Sequence, residues 1–435
     1  VTSARARGNS GGVKICIVGG GSTYTPELVD GLLTRQAELG LRTVVLYDVD
    51  AARLSVVGGF VRRMVQARGA RLEVVDAPSL REAVRGALFV VAQLRVGGQA
   101  ARAEDERLGR RYGVIGQETT GVGGLAKALR TVPALCALAD ELSRTAPAAT
   151  LINFTNPVSI VTEALLRHGR VRPIGLCNIP IGQRRELAAH LGVAPSEVTI
   201  DSVGLNHLSF VRSVEVRGRD VLPELIEAVS TGLDHGHRPA NIPDLDFPPS
   251  LLRALGVIPS DYLRYFFLAK ETVAEQAAKP HTRAEEVMAV ERELLATYAD
   301  PSVTEKPASL AKRGGAFYSH AALEIIEAMA LDRPARLVVD VANGSTVAEL
   351  PTGACVEVPC WVSAAGARPL PQRPLPPALR GLVQHVKAYE ELAVKAALER
   401  DKKALYLAVV THPLTRSAVD AVEIADDIAR RAWGA

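Results

Sequence analysis

Cysteine is scarce in this 435-residue chain, and its arrangement argues against a disulfide framework. The five cysteines, Cys16, Cys136, Cys177, Cys355 and Cys360, are odd in number and form no CxxC pair. A reducing, cytoplasmic setting is the expectation that follows. Long apolar runs are missing as well: none reaches the ~18 residues of a membrane-spanning segment. Val1 to Gly12 carries Arg5 and Arg7 but no apolar signal core, and is expected to be a flexible tail. Nor is there an excess of one charge, since 51 basic and 48 acidic residues leave +3. That balance is too even to imply nucleic acid or an anionic membrane as the main partner, while a local arginine cluster for a small anion stays open. No internal repeat is present. What the chain does have is length and 48% hydrophobic residues, enough to bury a large core in two or three domains or one enzyme-sized unit.

From Val13 the pattern is strand, glycine turn, helix, strand. Val13 to Val18 is a short apolar run, Pro26 to Leu39 has helical spacing, and Thr43 to Asp48 is a second strand, which makes a βαβ unit with parallel strands. Leu88 to Gln93 and Thr150 to Phe154 read as further buried strands, with an amphipathic helix from Leu125 to Arg144 between them. The expected fold is α/β: a Rossmann-like, doubly wound, mostly parallel sheet over residues 13–198, followed by a C-terminal α+β domain over 199–435. In that second part, Thr199 to Val203 and Ser209 to Arg217 read as strands, and a proline-rich connection runs near Asn241 to Ser250. Helices are expected over Ser260 to Ala278, Arg283 to Tyr298, Ser319 to Ala330, Val383 to Ala408 and Arg416 to Trp433, with a loop over Ala364 to Leu379.

Gly19-Gly20-Gly21-Ser22 lies directly after a strand and before a helix. Glycines there let the backbone turn tightly and approach a pyrophosphate at the helix N-terminus. The third glycine of GxGxxG is replaced by Tyr24, so a plain strand-to-helix turn is the competing reading. Asp48, at the end of the second strand, is placed to accept ribose hydroxyls and to repel a 2′-phosphate, which favours NAD over NADP. Cys177 sits at a strand end and His207 between two strand-like runs, and together they are candidate metal ligands. Taken singly, each also reads as an ordinary buried cysteine or a hydrogen-bonded loop histidine. A thiolate and an imidazole suit Zn²⁺, whereas Mn²⁺ would draw its remaining coordination from substrate hydroxyls and water, so the chemistry alone does not choose the metal. Tyr262, after Pro259-Ser260-Asp261, opens an aromatic helix start. It is either a core residue or a phenol that can act as a general base. Arg102 and Arg283 are candidate anion clamps, because guanidinium binds phosphate in a bidentate manner.

These residues fall in an ordered series: Val18 to Leu28, Gly116-Gln117-Glu118-Thr119-Thr120-Gly121, Asn153 to Pro157, Gly175-Leu176-Cys177-Asn178-x-Pro180, Gly204-Leu205-Asn206-His207 and Tyr262-Leu263-Arg264-Tyr265. The series resembles glycoside hydrolase family 4 over nearly the whole chain, and within it the 6-phospho-β-glucosidases. The resemblance implies an NAD- and Mn²⁺-dependent glycosidase outside the two-carboxylate scheme, acting on a phosphorylated disaccharide or aryl glycoside as a homodimer or homotetramer. Carried over by motif, Gly19, Gly20, Gly21, Ser22 and Asp48 hold NAD, and Cys177 and His207 hold the metal. Asn156, Asn178, Arg102 and Arg283 contact substrate, the arginines near the 6-phosphate, and Tyr262 is the base. Asn178 stands where α-acting members carry an aspartate acid, which points to β-glycosides and leaves the general acid unnamed; a water can fill that role. The implied reaction oxidises C3, removes the C2 proton, eliminates at C1, adds water and reduces C3 again. Two rivals differ in observable ways. An NAD-dependent 2-hydroxy-acid dehydrogenase would need a His-Asp pair and produce NADH, and an NAD-sensing module would bind dinucleotide with no metal-dependent activity. A family member acting on a galacto or unphosphorylated sugar is a further alternative.

Overall fold

The computed structural model describes residues 12–231, 242–313, 317–415 and 417–434. The expected tail at 1–11, Asn241 of the proline-rich connection and Arg416 at the start of the last helix lie outside them. Six strands, β1 (Val13–Val18), β2 (Leu41–Tyr47), β3 (Glu73–Asp76), β4 (Phe89–Ala92), β5 (Thr150–Asn153) and β6 (Pro173–Gly175), alternate with helices. All pair in parallel, in the order β3-β2-β1-β4-β5-β6. This is the doubly wound arrangement, and the order reverses between β1 and β4, where such sheets open a crevice at their C-terminal ends. Ile15, Ile17, Val44, Leu46, Val90, Val91, Leu151 and Ile152 are all fully buried. That explains why these strands read as continuous apolar runs rather than as alternations.

The same sheet continues through antiparallel strands: β7 (Val198–Leu205), β8 (Leu208–Val216), β9 (Arg219–Asp220), β10 (Ile258–Pro259), β11 (Ala335–Ala342), β12 (Cys355–Ser363) and β13 (Gly366–Pro369). The hairpin β11-β12 is wedged between β6 and β7. One row of residues crosses that wedge, with Gly175 opposite Asp340, Asp340 opposite Glu357, and Glu357 opposite Gly204. Glycine is required at Gly175, where a Cβ would lie 2.5 Å from Thr162 Oγ1 and 2.7 Å from Asp340 Cβ. Cys177 follows one end of this row and His207 the other.

Several elements differ from expectation for identifiable reasons. The helix expected over Ser260 to Ala278 is a 3₁₀ turn, Asp261–Leu263, a short helix, Arg264–Phe267, and a longer one, Ala269–Ala278, separated by Leu268 at φ −124°. Tyr262 is therefore on the 3₁₀ turn. Val383 to Ala408 is two helices, Pro377–Glu399 and Lys402–Thr411, because Arg400 is left-handed (φ 54°) and the Asp401 carboxylate caps the second by accepting the Lys403 and Ala404 N–H groups. The loop expected over Ala364 to Leu379 contains β13 and the start of the longer helix, and the β11-β12 hairpin was not anticipated. Helix Gly121–Thr145 is long and apolar enough to cross a membrane by length and composition, but 78% of its apolar stretch is buried inside the fold.

Candidate active site

A cleft of about 700 Å³ opens at the switch point and gathers Gly19, Ser22, Asp48, Arg102, Asn156, Cys177, Asn178, His207, Tyr262 and Arg283. These ten come from the twelve residues singled out in the sequence. The other two, Gly20 and Gly21, form the backbone behind Gly19 and Ser22.

On the nucleotide side, Gly19 has φ 90°, and a Cβ there would stand 2.7 Å from the Gln93 carbonyl oxygen. The Gly19 and Gly20 N–H groups both donate to the Tyr47 carbonyl at 2.9 Å, which fastens the turn to the end of β2. Asp48 is docked on it as well. Its Oδ2 accepts the Gly21 N–H at 3.0 Å and its Oδ1 accepts that of Asp50 at 3.0 Å. Gln93 braces the turn from β4, donating to the Gly19 carbonyl (3.1 Å) and to Thr25 Oγ1 (2.9 Å), and accepts the Tyr318 hydroxyl at 2.9 Å. A tight glycine turn, a carboxylate at the next strand end and an open crevice fit a dinucleotide.

Across the cleft, His207 occupies the two-residue loop between β7 and β8 at φ 65°, a backbone region uncommon for a residue with a side chain and concentrated at functional sites. Burial, with the nearby Lys127 charge, lowers its pKa to about 3 against the opposing pull of Glu118, so the ring is neutral and retains a lone pair. Burial and the Glu357 carboxyl push the Cys177 thiol well up, while the Ile179 N–H and Asn206 pull the other way. A metal cation at the sulfur is the group that would favour loss of that proton. No cluster of three or more His, Cys, Asp or Glu side chains suited to a metal occurs among the described residues. A metal held here has two protein donors and open positions, which fits a catalytic rather than a structural ion.

Tyr262 is 7% exposed, and its ring stacks on His207 with centroids 3.5 Å apart and planes 6° apart. Ile115, Ile179, Ile242, Tyr265 and Leu414 form an apolar cluster around Cys177 and Tyr262. Burial, with Tyr262 beside it, pushes the Tyr265 phenol far up. Arg102 lies near enough for its charge to interact with Tyr262. Its Nε is 2.8 Å from Glu106 and 3.2 Å from Glu118. Glu118 also meets Lys127 at 2.6 Å and pairs with Arg95. Burial alone would raise the Glu118 carboxyl, but Arg102, Arg95 and Lys127 outweigh it and hold it well below the usual range. Burial lowers the Lys127 ammonium to about 8 in spite of Glu118. Asn156 Oδ1 is buried without a hydrogen-bond partner among the described residues, an acceptor awaiting a donor. Arg283 leans on Glu286 (2.8 Å) and the Lys312 carbonyl (3.2 Å). Arg102 and Arg283 also line a smaller adjoining cavity of about 70 Å³. Glu118, Lys127, Arg95 and Thr119 went unassigned in the sequence. A detectable signal was Lys127 itself, a lone charge inside the apolar run Val122 to Leu129.

Residues 14–193 match the family described as "Family 4 glycosyl hydrolase", and residues 202–415 match "Family 4 glycosyl hydrolase C-terminal domain". A probable 6-phospho-β-glucosidase of Bacillus subtilis (strain 168) is 40% identical over 423 residues, 96% of this chain and 96% of its own. The chain belongs to glycoside hydrolase family 4. A 6-phospho-β-glucosidase of Escherichia coli (strain K12) is 37% identical and covers 97% of this chain and 96% of its own. The solved 6-phospho-β-glucosidase of Thermotoga maritima with manganese, NAD⁺ and glucose-6-phosphate superposes with a TM-score of 0.87 at 34% identity, covering 96% of this chain and 98% of that one. As a family 4 member the chain is a glycosidase.

Proposed function

We propose that this family 4 glycosidase hydrolyses 6-phospho-β-glucosides with NAD and a divalent metal, Mn²⁺ or a close substitute. The observation that carries the reading is the single cleft in which the glycine turn and Asp48 face Cys177, His207 and Tyr262. A relative solved with manganese, NAD⁺ and glucose-6-phosphate supports the same set of ligands. Gly19 to Ser22 and Asp48 would hold the dinucleotide, and Cys177 and His207 the metal. When bound, NAD would supply a hydride acceptor and donor, and the metal would supply Lewis acidity toward the sugar oxygens.

The chain's own residues do the rest. Tyr262 takes the C2 proton, with the Arg102 charge near it and its ring stacked on His207. Asn156 Oδ1 accepts a sugar hydroxyl, and Asn178 borders the anomeric side. Arg283 and Arg102, at the junction of the cleft and the smaller cavity, receive the 6-phosphate. The test is hydrolysis of p-nitrophenyl β-glucoside 6-phosphate beside its unphosphorylated and α-linked counterparts, with NAD⁺, Mn²⁺ and reductant each present or omitted. Turnover is expected for the phosphorylated β-glucoside alone, with all three additions required. Deuterium placed at C2 should wash into solvent during turnover. Retention of that label, or steady accumulation of NADH in place of sugar phosphate, overturns the reading.

A further inference from the structure

A histidine can ligate a metal only through a nitrogen that carries no proton, so the tautomer of His207 decides whether it serves as a ligand. The geometry around it leaves one choice. The Thr119 backbone N–H approaches the side chain of Gln117 at the atom assigned as Oε1. A backbone amide can only donate, so that atom must be the amide oxygen and not the nitrogen. The Thr119 hydroxyl lies 2.8 Å from the same oxygen, and it must therefore direct its single proton there. What the hydroxyl then presents to His207 Nδ1, 3.1 Å away, is a lone pair. Nδ1 must carry the hydrogen. Nε2 of the neutral ring is left with its lone pair bare.

We propose that Thr119 and Gln117 act as a tautomer-setting relay, fixing His207 as the Nδ1–H form so that Nε2 is the metal-binding atom. Both are positioning residues that act through His207. The relay begins at a backbone N–H, which cannot reverse its direction, so the order of donors is anchored by the chain itself. Gln117 is 5% exposed, so water offers little competition for its oxygen. The role of Nε2 as ligand rests on the functional reading above, whereas the tautomer is a property of the protein without metal and can be read independently.

The test begins with the metal-free, full-length protein labelled with ¹⁵N-histidine. Its His207 resonances, assigned by loss in His207→Ala, should show the Nδ1–H pattern. The opposite pattern overturns the proposal. Manganese affinity is then measured by calorimetry on the wild type and three variants. Thr119→Val keeps the shape and removes the hydroxyl, and Thr119→Ser keeps the hydroxyl. Gln117→Leu keeps Thr119 but removes its acceptor, which frees the hydroxyl to donate to Nδ1 and drives the ring toward Nε2–H. Thr119→Val and Gln117→Leu should each weaken manganese about 10- to 100-fold, as loss of an outer partner of a metal-bound histidine does, with NAD affinity unchanged. Thr119→Ser should restore both metal affinity and the Nδ1–H signature. Wild-type metal affinity in Gln117→Leu, or an unchanged Nδ1–H pattern in it, would show that the relay does not set the tautomer. If instead the tautomer behaves as stated and no metal-dependent hydrolysis occurs, the relay stands and the functional reading falls.

Discussion

The two walls of the cleft are built in opposite ways. The nucleotide wall is local: the glycine turn, Tyr47, Asp48 and Asp50 belong to one βαβ unit, and Gln93 at the end of the adjacent strand braces it. The facing wall draws Thr119, Cys177, His207 and Tyr262 from four separate segments, held together by the β11-β12 wedge and by a stacked pair of rings. A site whose parts share one motif tolerates change elsewhere in the sheet. A site assembled across a junction depends on pairing that no single motif encodes, so the two walls should fail separately when each is disturbed.

The largest expected effect comes from the proposed metal donors. Cys177→Ala or His207→Ala should abolish manganese binding and lower hydrolysis by at least about 10³-fold, a loss of roughly 4 kcal/mol in transition-state stabilisation. Chelation of the wild type should do the same and be reversed by added Mn²⁺. Dinucleotide affinity, followed by fluorescence or calorimetry, should stay within about twofold in both variants. A parallel collapse of NAD binding would break the separation between the walls. Tyr262→Phe is next. It keeps the stack on His207 and removes the proton acceptor, so turnover should fall about 10²- to 10⁴-fold with metal and dinucleotide affinities retained. Unchanged turnover would return Tyr262 to the role of a core aromatic.

Asp48→Ala tests the local wall. It removes the acceptor that fastens Gly21 and Asp50 and should weaken NAD about 10- to 100-fold, while manganese affinity holds. An equal loss of metal binding would mean that the turn supports both walls.

The same contrast explains what could be read from the sequence. Val13 to Val18, Thr43 to Asp48 and Thr150 to Phe154 are apolar runs bounded by turn residues, so the parallel core and the glycine turn follow from local pattern. The wedge does not. β11 meets β6 through the single pair Asp340 and Gly175, and β12 meets β7 through Glu357 and Gly204, contacts between residues more than a hundred positions apart. Nothing near Gly175 or Gly204 announces those partners. Arg102 was visible as a cation. Its two carboxylates, one from its own helix and one from the Gly116 to Gly121 motif, were not, because ion-pair geometry depends on how the helices and loops pack. Tyr262 stands out in the sequence, but its 3₁₀ turn does not, since periodicity does not register a break as short as Leu268.

Glu291 acts on stability rather than on turnover or ligand affinity and probes where the walls are tied together. It lies in helix Arg283–Ala299. It accepts from Gln99 Nε2 at 3.1 Å and pairs with Arg53 at 2.9 Å and Arg313 at 3.0 Å, with Thr23 Oγ1 at 3.4 Å. One buried carboxylate thus joins the end of the glycine turn to the helix that begins with Arg283. Burial would raise its pKa, but Arg313 and Arg53 prevail and hold it at about 2. A carboxyl depressed on folding contributes stability that is fully present above its unfolded value of about 4.3 and disappears as pH falls through the folded value. Glu291→Gln keeps the shape and removes the charge, so it should cost about 2–3 kcal/mol at pH 7 and lower the melting temperature by a few degrees. The gap between wild type and variant should then close as the pH is taken from about 4.3 toward 2. A gap that is constant with pH would assign the loss to altered packing and leave the walls joined by their backbone alone.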